Sequence, residues 1–220
     1  MNNYIIKEAD ITIWERAQRW ENQQWKSFNA DDNDWNDWWF DCFSNFEFIK
    51  SYDINSILEV GCGPWAKNLR YTLNIIGEEN KKLYLEDPLL NEYINDGKYV
   101  KNINAIKIVR PLEETIIKEK VDLIICINVL DHVYNVDKCF ENMLLSLNKN
   151  GILIFGQDLS NEEDYKNIPT DIGHPIRIDL NVCDQALKSL RPIYKIVLNR
   201  DAGRNPCAHY GTLLYAGINE

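Results

Sequence analysis

The 220-residue chain contains no long apolar run. A helix crossing a bilayer needs roughly 18 to 20 consecutive apolar residues, and no window approaches that, so no membrane partner is expected. Basic clusters are missing too: Lys81-Lys82 is the densest basic spot, and 34 acidic against 24 basic residues leave a formal net charge of -10. Phosphate-backbone binding relies on Lys and Arg neutralising phosphates, so a nucleic-acid partner is not expected either. Nor is there a C-x-x-C pair among the six cysteines, Cys42, Cys62, Cys126, Cys139, Cys183 and Cys207. The opening Met1-Asn2-Asn3-Tyr4 lacks a basic segment followed by an apolar stretch, which predicts a chain without a secretory leader. Scattered cysteines in such a chain read as reduced thiols of a cytoplasmic protein. Cys207-x-His209 is a single pair without the further ligands that zinc needs. Asp131 and Asp158, each following a predicted strand, have no third placed ligand, so no metal is expected. Repeats and low-complexity tracts are absent.

What is present is enough for one core, since 45% of the residues are hydrophobic. The length fits a single domain with a modest appendage. Residues 1–50 hold six of the seven tryptophans. Apolar positions at 35, 38, 39, 42, 43, 46 and 49 form a helical stripe, preceded by Asp34 as a cap. An earlier helix spans about Asp10 to Ser27. These two helices are read as an N-terminal cap, residues 1–50, on a domain of residues 51–220.

From Ser56 onward, strands and helices alternate. Predicted strands are Ile57–Val60, Leu83–Glu86, Ile103–Val109, Val121–Asn128, Ile152–Gly156, Tyr194–Leu198 and Tyr210–Ala216. Predicted helices are Trp65–Ile76, Leu89–Asp96, Leu112–Lys118, Val136–Leu147 and Leu180–Leu190, the last capped by Asp179. A near-continuous apolar strand such as residues 123–127 belongs in a parallel sheet covered on both faces. The alternation predicts an open α/β, Rossmann-like sheet.

The decisive stretch is Glu59-Val60-Gly61-Cys62-Gly63-Pro64-Trp65, where a strand runs through a glycine turn into a helix. Glycines at such a point let the backbone approach a ligand. Gly61-x-Gly63-x-x-Ala66 also fits a dinucleotide fingerprint, but Glu59 would repel a pyrophosphate and Pro64 removes a phosphate-cradling N–H. A carboxylate suits an amino group or a cation better. Asp87, ending the second strand before Pro88, is placed to bind ribose hydroxyls, or to cap the next helix.

Glu59-x-Gly61-x-Gly63, Asp87-Pro88-Leu89-Leu90, Pro111-Leu112-Glu113-Glu114, the run Asp122 to Val133 and Asn148-x-x-Gly151 occur in that order. Together they resemble the class I S-adenosylmethionine-dependent methyltransferases, of the small-molecule kind often called type 11. The resemblance covers roughly residues 55–160. It implies a seven-stranded mixed sheet in the order 3-2-1-4-5-7-6 with helices on both faces, and S-adenosylmethionine as cofactor. By position, Glu59, Gly61 and Gly63 would hold the methionine end, and Asp87 the ribose, with Pro88 or Leu89 against the adenine. Leu112 and Glu113 would flank the adenine, and Asn128 with Val129 would line the sulfonium side. Trp65, where many relatives have a third glycine, implies a more enclosed pocket.

The acceptor expected from the resemblance is a small molecule, a hydroxyl of a sugar or other metabolite from surface-polysaccharide or secondary metabolism. An alcohol must lose a proton on methylation, and an imidazole is the natural base. The chain has three histidines. His132, after the fourth strand, is the first choice, and His174, in a loop overhanging the pocket, the second. His209 is assigned to structure. Tyr4, Trp14 and Trp25 are candidates to line the acceptor pocket, where aromatic faces attract a sulfonium. Two other readings remain open: a nicotinamide-dependent oxidoreductase and a non-catalytic scaffold that keeps the fold.

Overall fold

The computed structural model describes residues 4–27, 41–167, 171–198 and 211–220. Trp35, Trp38, Trp39, Asp34, Cys207 and His209 lie outside them, so the expectations placed on those residues are not taken further.

The first helix, α1, is Ile11–Ser27, and a 3-10 helix covers Ser44–Ser51. The sheet then begins with β1 Ser56–Val60, followed by α2 Lys67–Ile76, β2 Lys82–Glu86 and α3 Leu90–Asn95. Next come β3 Ile106–Ile108, β4 Val121–Ile127, α4 Val136–Ser146 and β5 Leu147–Asp158. The chain closes with α5 Glu162–Asn167, α6 Leu180–Leu187, β6 Leu190–Leu198 and β7 Thr212–Asn219. The strand order is β3-β2-β1-β4-β5-β7-β6. Strands β1 to β5 pair in parallel, and β7 lies antiparallel between β5 and β6. This is the mixed seven-stranded sheet expected from the sequence.

Successive strand residues point to opposite faces, and each face carries its own apolar layer. Leu58, Val60, Ile124, Cys126, Leu153 and Phe155 meet Cys139, Phe140 and Met143 of α4 and Cys183 and Leu187 of α6. Ile57, Leu85, Leu123, Ile125, Ile152 and Ile154 meet Leu69 of α2, Leu90 and Tyr93 of α3, and Phe46 and Ile49 of the 3-10 segment. Two-sided burial explains why the central strands lack hydrophobic–polar alternation. Asp122 fixes the lower edge: its carboxylate accepts from the Asn55 and Ser56 amides at 3.0 Å each and from Asn148 Nδ2 at 2.7 Å.

Several boundaries differ from expectation. The helix expected over Leu112–Lys118 is a 3-10 turn, Leu112–Glu114. The β-branched run Thr115-Ile116-Ile117 is a poor helix former, and the Thr115 hydroxyl turns back to the Pro111 carbonyl at 3.0 Å. Strand β3 is shorter than expected: after a 3-10 turn over residues 99–102, the Ala105 amide turns back to the Ile103 carbonyl at 3.0 Å, and the strand starts only at Ile106. Helix α5 falls between Gly156 and Leu180, where the sequence predicts no element. Among the described residues, no helix is long and apolar enough to cross a membrane.

The order of strands reverses between β1 and β4, both of which also end at the same edge. In an open α/β sheet a crevice forms there, beyond the carboxyl ends of the strands.

Candidate active site

Strand β1 leaves the sheet through an elbow of left-handed residues, Gly61 at φ +56°, Gly63 at φ +59° and Ala66 at φ +45°. Gly61 is required twice over. Its φ disfavours any side chain, and a Cβ there would stand 2.6 Å from Val129 Cγ2. Beside Gly63 a Cβ would meet nothing within 4 Å, so the backbone there faces open space. Glu59 does not face that space. Its carboxylate accepts from the Leu69 amide at 3.0 Å and Asn68 Nδ2 at 3.1 Å, under the first turn of α2. Burial pushes its pKa from 4.5 up to about 8, against the pull of those two donors.

Strand β2 delivers two adjacent carboxylates. Asp87 accepts from the Gly63 amide at 3.0 Å and the Leu89 amide at 2.8 Å, so it fixes the elbow and starts α3. Burial raises its pKa to about 6, leaving it ionised at neutral pH. Glu86 accepts from the Gly61 amide at 3.2 Å through Oε2, while its buried Oε1 has no partner. Burial, followed by the charge of Asp87, holds the Glu86 carboxyl well above the ordinary range.

The turn after β3 supplies Leu112 and Glu113. Asn142 of α4 donates to the Leu112 and Glu113 carbonyls at 2.8 and 2.7 Å. Glu113 in turn accepts from the Asn135 amide at 2.9 Å, while its buried Oε2 is unpartnered. Directly after β4, Asn128 takes φ +55°, a conformation that asparagine tolerates better than most residues. Its amide donates to the Gly156 carbonyl at 2.7 Å.

Helix α1 forms the remaining wall. Trp14 Nε1 and Gln18 Nε2 both donate to the His132 carbonyl, at 2.9 and 3.2 Å. Trp14 packs edge-on to Tyr134 and Trp25 edge-on to Trp65, with centroids 5.3 and 5.1 Å apart. The His132 and His174 rings lie 4.6 Å apart. His132 Nδ1 sits 3.7 Å from Glu21 Oε2 and its Nε2 3.8 Å from Asp131 Oδ1. His174 Nδ1 bonds Asp171 Oδ2 at 2.7 Å. Burial opposes charging His174, but that bond and the carboxylates of Asp131, Asp171 and Glu21 outweigh it, so its pKa rises to about 9. The same bond, with the His174 charge, outweighs burial at Asp171 and holds it at about 2.

These groups enclose a cavity of ≈ 340 Å³, within the size range of small-molecule sites. Gly61, Gly63, Asp87, Pro88, Leu112, Glu113, Asn128, Val129, His132 and His174 all line it. Of the cofactor-binding and catalytic candidates Glu59 alone does not, while its partner Asn68 does. Of the aromatic candidates, Trp14 and Trp25 are in the walls and Tyr4 is not. Among the lining residues that the sequence reading did not single out, three bear on the chemistry: Asn68, Glu21 and Glu86. Asn68 stands behind an unremarkable helix start, and Glu21 is one polar position of an amphipathic helix. Glu86 stands directly before Asp87, and two carboxylates ending one buried strand are themselves a signal. Asp158 lies elsewhere, accepting from the Thr212 hydroxyl at 2.8 Å.

No protein-family model matches the chain, and no curated protein does. Solved structures match well. The N-methyltransferase NodS from Bradyrhizobium japonicum WM9, in complex with S-adenosyl-L-homocysteine, gives a TM-score of 0.68 at 17% identity, covering 94% of this chain and 98% of that one. The 1,6-didemethyltoxoflavin-N1-methyltransferase of Burkholderia thailandensis, with its substrate and S-adenosylhomocysteine bound, gives 0.62 at 11%, over 95% and 88%. The plantazolicin methyltransferase BpumL, solved with a substrate analogue and S-adenosylhomocysteine, gives 0.58 at 15%, over 96% and 100%. The chain thus has the fold of these methyltransferases.

Proposed function

We propose that this chain transfers a methyl group from S-adenosylmethionine to a hydroxyl of a small-molecule acceptor such as a sugar. The observation that carries the reading is the set of three carboxyl groups, Glu86, Asp87 and Glu113, that line the cavity beside the glycine elbow. Ribose hydroxyls and an adenine amino group are donors that suit such a lining, whereas a pyrophosphate brings only acceptors and negative charge towards an ionised Asp87. The elbow also has the open space beside Gly63 that a close backbone approach requires.

In this reading Asp87 and Glu86 bind the ribose, Pro88 and Leu89 pack on the adenine, and Leu112 and Glu113 close its other side. Asn128 and Val129 line the sulfonium. Gly61 and Gly63 bring backbone to the methionine end, and Asn68, held by Glu59, presents its side chain there. Glu59 therefore acts through Asn68 and α2. Bound in this way, S-adenosylmethionine supplies a methyl carbon whose bond to sulfur breaks as the bond from the acceptor oxygen forms, the electron pair staying on sulfur. His132 takes the hydroxyl proton, and Glu21 and Asp131, each within 4 Å of its ring, stabilise the imidazolium. Helix α1 covers one side of the cavity with the indole rings of Trp14, Trp20 and Trp25.

A His132→Ala variant should lose turnover in a homocysteine-release assay while its affinity for S-adenosylhomocysteine stays within about twofold. Undiminished turnover would remove His132 from the base role. Screening sugars and their derivatives in the same assay identifies the acceptor.

A further inference from the structure

Beside the cofactor half of the cavity, Asp131, His132 and His174 form a cluster whose donor atoms all lie within 4.8 Å of one another. Both imidazoles turn Nε2 towards the same carboxylate. His132 Nε2 is 3.8 Å from Asp131 Oδ1, and His174 Nε2 is 4.0 Å from Asp131 Oδ2. These separations are too long for hydrogen bonds. Two atoms that each bind one ion at about 2.1 Å stand at most about 4.2 Å apart; both Asp131 gaps lie within that limit, and any separation in the cluster up to the 4.8 Å bound closes by a side-chain shift of about 0.6 Å on binding.

A carboxylate stands behind each ring, hydrogen-bonded to the opposite nitrogen of His174 and facing that of His132 from beyond hydrogen-bond reach. His174 Nδ1 bonds Asp171 at 2.7 Å, and His132 Nδ1 faces Glu21 at 3.7 Å. A carboxylate behind a histidine, fixing the tautomer and aiming the other nitrogen, is the usual outer support of a metal ligand. Asp171 is itself anchored by the Gly173 and His174 amides at 2.9 and 3.3 Å. Asp131 Oδ1 and His132 Nδ1 are nevertheless buried without a hydrogen-bond partner. Three carboxylates around two imidazoles also leave an excess of negative charge that a dication offsets.

We propose that Asp131, His132 and His174 bind one divalent first-row transition-metal ion, whose open positions take oxygen donors of the acceptor. Two histidines and one carboxylate with free positions suit such ions, and both histidines line the cavity. The acceptor part of this inference rests on the methyl-transfer reading, but the ion site does not. With an ion bound, coordination lowers the pKa of the acceptor hydroxyl. The O–H bond then breaks with the proton passing to the Glu21 carboxylate rather than to His132.

The test is calorimetric titration of the full chain, stripped with a chelator, with Zn2+, and an absorption spectrum with Co2+. The expected result is one ion per chain, with affinity falling at least tenfold in both Asp131→Asn and His174→Ala. Affinity for S-adenosylhomocysteine, measured in the same preparations, should stay within about twofold and so verify the fold of each variant. No stoichiometric ion, or binding undiminished in either variant, overturns the proposal. Failure of the unaltered chain to bind S-adenosylhomocysteine would overturn the methyl-transfer reading while leaving the ion result standing.

Discussion

Replacing Gly61 by alanine tests the elbow directly, because two separate costs are built into one methyl group. The first is conformational: at φ +56° an L-residue loses roughly 1–2 kcal/mol. The second is steric, since the new Cβ would lie 2.6 and 2.8 Å from the two γ-methyls of Val129, and such overpacking costs typically about 1–3 kcal/mol. Together they predict a loss of roughly 2–5 kcal/mol, or a fall in Tm of about 5–15 °C for a chain of this size. Only the steric part depends on Val129. Adding Val129→Ala to Gly61→Ala should therefore recover about 1–3 kcal/mol relative to the sum of the single variants, the coupling expected of residues in contact. Urea denaturation followed by circular dichroism supplies all four stabilities of the cycle. Strict additivity, or a Gly61→Ala chain as stable as the parent, would refute the geometry of the elbow.

Glu59 provides a pH test. Its folded pKa, raised from 4.5 to about 8 by burial, lies above its unfolded value, so the native state binds the proton more tightly. The stabilisation is complete below about pH 4.5 and is lost as pH rises towards 8, by an amount on the order of a few kcal/mol. Glu59→Gln keeps an acceptor for the Leu69 amide and should flatten this decline, matching the parent near pH 5 and exceeding it at pH 8.5 in urea midpoint; equal slopes would contradict the account. Asn142→Ala should cost about 2–4 kcal/mol, because the Leu112 and Glu113 carbonyls lose their donor while buried. It should also weaken S-adenosylhomocysteine binding by loosening the turn after β3, and unchanged stability and affinity would count against that role.

The sheet was legible because strands buried on both faces must be apolar throughout, as in Leu123 to Ile127, and because such runs recur between helix-length segments. Local chemistry also made the elbow legible: two glycines follow a strand, and the side chain that φ +56° excludes at Gly61 is absent from the sequence. Positions settled by distant contacts were not legible. Nothing near Glu59 in sequence says that its carboxylate turns under α2 instead of into the cavity; that depends on where Asn68 and Leu69 stand after the turn. The third member of the cluster at Asp131 was hidden for the same reason, since His174 arrives from 43 positions further on along a loop that hydrogen-bonds to the Asp131 carbonyl through the Ile176 amide. Likewise the helix expected after Leu112 gave way because the β-branched run Thr115-Ile116-Ile117 disfavours it and the Ile117 amide donates to the distant Ser146 hydroxyl at 2.8 Å.

The most direct measurement is isothermal titration of the full chain with S-adenosylhomocysteine and, separately, with NADH. The account predicts one micromolar site for S-adenosylhomocysteine, weakened at least tenfold by Asp87→Ala, and no heat of binding for NADH. Binding of NADH with none of S-adenosylhomocysteine would contradict it.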